Sequence, residues 1–147
     1  MNKKGFTLIE LIVVFVIIAI MALLLVPNIG AWLPSYRLRS ATRDIASTVR
    51  TAQMKAISNV GRQYLVNFNV GADSYILQYN TGGLVFNDGS VQKAPSGITI
   101  NIGGLPGGAA IFNSDSTSSG GIVRLQNTKG TTRSITVSTA TGKVTIQ

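Results

Sequence analysis

The sequence predicts an α+β protein in which a long N-terminal helical region leads into a glycine-rich β domain. Three observations carry this prediction. Every residue from Leu11 to Val26 is apolar, the following stretch repeats its apolar residues at steps of three and four, and beyond Arg62 the repeat shortens to two. At 147 residues the chain has room for one membrane segment and one head domain of ordinary size.

The first element is set by hydropathy. With Phe6 to Glu10 added, the apolar run is long enough to cross a bilayer core at about 1.5 Å per helical residue. Lys3 and Lys4 stand just ahead of it. The positive-inside bias therefore places the N-terminus in the cytoplasm and the rest of the chain on the far side. Glu10 interrupts the run. A charge there costs roughly 2.5–3.5 kcal/mol near the bilayer centre and less near the interface, so such a residue is usually paired or functional. A secretory signal peptide cut near Asn28-Ile29-Gly30-Ala31 is the competing reading. It leaves Glu10 unexplained, and the apolar run is longer than a usual signal core.

Pro27, Gly30 and Pro34 follow, each able to kink or loosen a helix. Pro27 is the candidate kink. Beyond it Leu38, Ala41, Ile45, Val49, Ala52 and Ala56 fall in one stripe at 100° per residue, a face that should pack on a sheet. Arg39, Arg43 and Arg50 cluster on another side, with no acidic residue in their stripe. That side reads as a solvated or subunit-facing surface. A nucleic-acid surface is the alternative, although it lacks interleaved aromatics for base stacking.

The β domain follows from period-two alternation. Strands are expected over 64–70, 75–79, 84–86, 90–93, 98–102, 109–112, 122–126, 133–137 and 144–146, as a small sandwich or a set of packed sheets. Gly71-Ala72-Asp73 predicts a turn, and Asn87-Asp88-Gly89 predicts a hairpin because its residues tolerate positive φ. Gly103 to Gly108 reads as a flexible loop, and Asn113 to Gly121 as a polar one. The latter holds only Asp115 as a carboxylate, too few for a calcium loop.

Composition narrows the function. There is no cysteine and no histidine, which excludes thiol nucleophiles, disulfides, zinc-thiolate sites and His-based triads. The five carboxylates, Glu10, Asp44, Asp73, Asp88 and Asp115, lie far apart. No enzymatic activity, metal or cofactor is expected. The net charge of +8 could attract nucleic acid, anionic lipid or acidic partners.

Lys4-Gly5-Phe6-Thr7-Leu8-Ile9-Glu10 resembles the type III signal of type IV prepilins and pseudopilins. The resemblance implies cleavage between Gly5 and Phe6 by a prepilin peptidase, and N-methylation of the new amine on Phe6. It also implies that Glu10 pairs with the α-amine of a neighbouring subunit. A buried carboxylate and a buried ammonium are each costly alone and tolerable together, so the pair would set register. The implied organisation is a leader at 1–5, a transmembrane and assembly helix at 6–26, a kink and amphipathic helix at 27–60, and a β head at 61–147.

Ile111-Phe112-Asn113-Ser114-Asp115 and Thr139-Ala140-Thr141-Gly142-Lys143-Val144, behind such a helix, are similar to the GspH/FimT family. That implies a type IV pilin-like fold and a minor pseudopilin or pilin of a type II secretion or type IV pilus filament. Its implied partners are other pilin subunits, the prepilin peptidase/methylase, an inner-membrane assembly platform and membrane lipid. A minor pilin that binds DNA for uptake is the alternative, with Arg124, Arg133, Gly142 and Lys143 as contacts. Such pilins carry Gly-Arg-x-Arg, and this chain has Gly142-Lys143-Val144-Thr145, without the second arginine. A major fibre-forming pilin is the third reading.

Overall fold

The computed structural model describes residues 7–25 and 29–147. The predicted cleavage residues Gly5 and Phe6 and the candidate kink Pro27 lie outside the described residues. The chain divides into two units, Met1–Trp32 and Leu33–Gln147. Among the described residues the first unit holds helix α1 (Leu8–Leu25) and the start of α2 (Ile29–Ser58). Gly30 and Pro34 lie inside α2, so neither ends it. Pro34 lacks the N–H that would bond the Gly30 carbonyl, so one bond is missing in the second turn and the helix continues past it.

In the second unit α2 buries the predicted stripe. Leu38, Ala41, Ile45, Val49, Ala52 and Ala56 are each at most 2% exposed. Ala46 and Thr42 widen the stripe, and both are fully buried. Thr42 is tolerated because its hydroxyl donates to the Leu38 carbonyl at 2.7 Å, so no polar group is left unpaired.

The strands match the period-two reading closely. β1 (Gln63–Asn69) and β2 (Ser74–Thr81) pair antiparallel through the expected turn. There the Asn69 side chain accepts the Ala72 N–H at 3.2 Å, and Asp73 adopts φ 46°. β3 (Leu84–Asn87) returns along β2 through Gly82-Gly83, with φ 60° and 83° and Thr81 paired to Leu84. A two-residue turn with both centres at positive φ suits glycine.

The hairpin expected at Asn87-Asp88-Gly89 does not form. β3 and β4 (Gln92–Lys93) both pair with β2, so they are two lengths of one edge strand with residues 88–91 bulging between them. None of the three residues has positive φ. The Asp88 N–H donates to the Leu77 carbonyl at 2.9 Å, and its carboxylate meets Lys55 Nζ at 2.7 Å. This ion pair ties α2 to the edge strand.

The remaining strands are β5 (Ile98–Gly103), β6 (Ala109–Phe112), β7 (Gly121–Asn127), β8 (Thr132–Val137) and β9 (Val144–Ile146). One sheet runs β3-β2-β1-β6, with β4 also on β2, and the other runs β5-β7-β8-β9. The chain thus passes from the second sheet to the first at β6 and back at β7. The run Gly103–Gly108, expected as a flexible loop, is pinned by Leu105, which joins the core.

Tyr64, Val66, Phe68 and Phe112 from the first sheet, and Ile100, Val123, Leu125 and Ile135 from the second, share one apolar cluster with the α2 stripe. Ile45→Ala should cost about 2–5 kcal/mol through lost burial and a residual cavity. Arg43→Ala, on an exposed position, should stay within about 0.5 kcal/mol. Denaturant midpoints of the detergent-solubilised full chain measure both.

Candidate assembly site

α1 is apolar all round except at Glu10. Every described side chain on it is exposed within the chain, Leu8 at 78% and Phe15 at 61%. A helix of this kind needs cover from outside itself, either lipid or other chains. Its 18 residues rise about 27 Å, beside a hydrocarbon core of about 30 Å. Among the described residues no helix is long and apolar enough to cross a membrane. The apolar sequence continues to Val26, outside the described residues.

Glu10 closes the N-terminus of α1. Thr7 stands just before the first helical residue, and Glu10 is third within the helix. The Thr7 N–H donates to Glu10 Oε2 at 3.0 Å, and the Thr7 hydroxyl donates to the same oxygen at 3.1 Å. The Glu10 N–H approaches Thr7 Oγ1 at 3.4 Å. This is a reciprocal capping box, in which two end groups of the helix satisfy each other. The helix dipole adds to it, since a negative charge is favoured in the first turn. Ile9, Val13 and Val14 line a shallow apolar hollow beside the carboxylate. The result is one anionic oxygen pair, held at a helix end, on an otherwise apolar surface. Such a surface can accept a cationic group and reject a misplaced one.

The Thr7-x-x-Glu10 spacing is the sequence signal for this cap, and hydropathy alone does not carry it. The structure gives Glu10 a local partner. Its predicted intermolecular partner, the Phe6 amine, lies outside the described residues.

The four residues considered for DNA do not form one cluster. Arg124 pairs with Ser134 across β7 and β8, while Arg133 pairs with buried Leu125, so the two arginines belong to opposite faces of the sheet. Lys143 is exposed in the turn before β9. Gly142 is buried there at φ 59°, where an added Cβ would come within 3.0 Å of the Gln53 side chain and the Ser116 carbonyl. Close packing against α2 therefore accounts for this glycine. In the Asn113–Gly121 loop, Asp115 accepts the Thr117 hydroxyl at 2.6 Å and its N–H at 3.0 Å. These two bonds hold the Asp115 carboxyl below the usual carboxylate range.

Comparison with known proteins agrees with both halves of this description. Residues 1–26 match the family model of the prokaryotic N-terminal methylation motif. No curated protein matches the sequence. Among solved structures, the minor pseudopilin EpsH from the type 2 secretion system of Vibrio cholerae is similar, with TM-score 0.65 at 10% identity over 76% of this chain and 96% of that one. The type IV minor pilin FimU of Pseudomonas aeruginosa PAO1 is also similar, with TM-score 0.60 at 12% identity over 77% of this chain and 90% of that one. The chain therefore joins a prokaryotic N-terminal methylation motif at residues 1–26 to a fold that it shares with the minor pseudopilin EpsH and the minor pilin FimU.

Proposed function

We propose that this chain is a minor structural subunit of a type II secretion or type IV pilus filament, and that it acts by assembly. The observation that carries this reading is the capped Glu10 carboxylate on a helix whose apolar surface is left exposed among the described residues. A prepilin peptidase would cut between Gly5 and Phe6 and methylate Phe6. The apolar helix would then hold the subunit in the inner membrane as a single pass, with the N-terminus cytoplasmic and the head outside the cytoplasm. Assembly would exchange a bond within one chain for a bond between chains. The Thr7 donors satisfy the Glu10 carboxylate until the amine of a neighbouring subunit replaces or supplements them. The assembly platform and the other pilin subunits are the partners in this reading, and lipid is the surrounding medium.

A minor role in secretion or pilus biogenesis is preferred to DNA uptake. Arg124 and Arg133 lie on opposite faces, and Thr145 stands where a second arginine would extend the phosphate contact.

Mass spectrometry of the mature chain should find methylated Phe6 at its start. A start near Trp32 would refute the reading in favour of a signal peptide. Glu10→Val should leave membrane insertion intact and stop incorporation into filaments. Glu10→Gln separates cap from charge, because the amide oxygen can still accept from Thr7 while the negative charge is gone. Assembly should fail with Gln as with Val. Normal assembly of Glu10→Gln would assign Glu10 to capping alone.

A further inference from the structure

We infer that the Arg39–Arg43–Arg50 flank of α2 is a docking surface for the acidic helix face of a different pilin-like subunit, and not for a second copy of this chain. The inference rests on the subunit reading above and adds the surface and the chemistry of the partner. The three arginines are exposed and fall within a 40° arc at 100° per residue, along about 16 Å of helix. Arg50 Nη2 donates to the Val144 carbonyl at 3.5 Å, which places the row beside β9, the edge strand of the four-stranded sheet. Arg39 and Arg43 meet no hydrogen-bond or ion-pair partner among the described residues. Their guanidinium groups therefore make no bond that ties the head together.

Charge complementarity decides the occupant. Residues 33–147 hold eleven Lys and Arg against four Asp. Asp88 is paired with Lys55, and Asp73 accepts the Ile100 N–H at 2.7 Å. Asp115 is bound by Thr117. Asp44 lies 140° around α2 from Arg39. No second carboxylate joins any of them in a row, so a copy of this chain has no acidic face to present. Two copies meeting through this flank would instead set like charges together, which costs affinity. A guanidinium row at helical spacing fits carboxylates carried at the same spacing on another helix, two oxygens to each fork. Nucleic acid is the competing outcome of the test, since exposed Tyr36 lies 20° from Arg43 around the same helix.

The test uses the full chain in cells with its complete filament system. A photo-cross-linking amino acid at Ser47, exposed and 40° from Arg43, reports the neighbour. The expected product joins this chain to a different subunit at a helical segment rich in Asp or Glu. The triple change Arg39→Glu, Arg43→Glu and Arg50→Glu should lower that product about tenfold or more, with Phe6 processing and protease resistance of the head unchanged. Exchanging the cross-linked carboxylates of the partner for lysine should restore it with the triple variant. A product with a second copy, with DNA or with lipid alone, or one unmoved by charge reversal, overturns the inference. The subunit reading fails separately, if the wild-type chain never enters a filament.

Discussion

The head is organised around the face of α2 that carries Leu38, Ala41, Ile45, Ala46, Val49, Ala52 and Ala56. Four of these seven are alanine, so the helix backbone can approach the strands closely while three larger residues supply most of the apolar area. Both sheets contribute to the same cluster, and with no cysteine in the sequence no disulfide supports it. Other features attach to this contact. Lys55 on α2 reaches Asp88 at the bulge of the edge strand, Arg37 reaches the Ser96 carbonyl, and Gln53 reaches the Thr141 carbonyl. Polar groups at the rim of the helix thereby tie down segments that the apolar cluster does not hold.

The two units place opposite demands on their surroundings. In the head, the apolar face is covered by strands of the same chain. In α1 the apolar surface is left open, and the single carboxylate is held by its own helix end. A free carboxylate among apolar groups would be strongly penalised, whereas one that already accepts two hydrogen bonds is less so. The cap therefore lowers the cost of holding this carboxylate in apolar surroundings.

Much of this was legible in the sequence because periodicity is a local signal. Alternation at Tyr64, Val66 and Phe68 located β1, and the three–four repeat located the buried face of α2. The division into two sheets was not legible, since it depends on pairings such as Val66 with Ala110 that join distant segments. The hairpin was misplaced for a related reason. Asn87-Asp88-Gly89 has turn chemistry, but Asp88 is drawn to Lys55 and the chain stays along β2, while the Gly82-Gly83 pair makes the real reversal. The N-terminal methylation motif was legible because its residues are contiguous. The facing of Arg124 and Arg133 was not, because it depends on the register between β7 and β8.

The Arg flank and the buried face share one helix, so they are coupled by its pitch. Adding or removing a single residue between Arg43 and Arg50 would turn everything beyond it by 100°. The core stripe and the outward row would lose phase together. Length changes in this part of the chain are thus barred by two separate demands, whereas a turn such as Thr139–Lys143 faces only the packing around Gly142. Divergence among chains of this architecture would then proceed by substitution along the helix and by insertion in the β connections. That would leave the helix as a ruler of constant graduation beneath a head of variable outline.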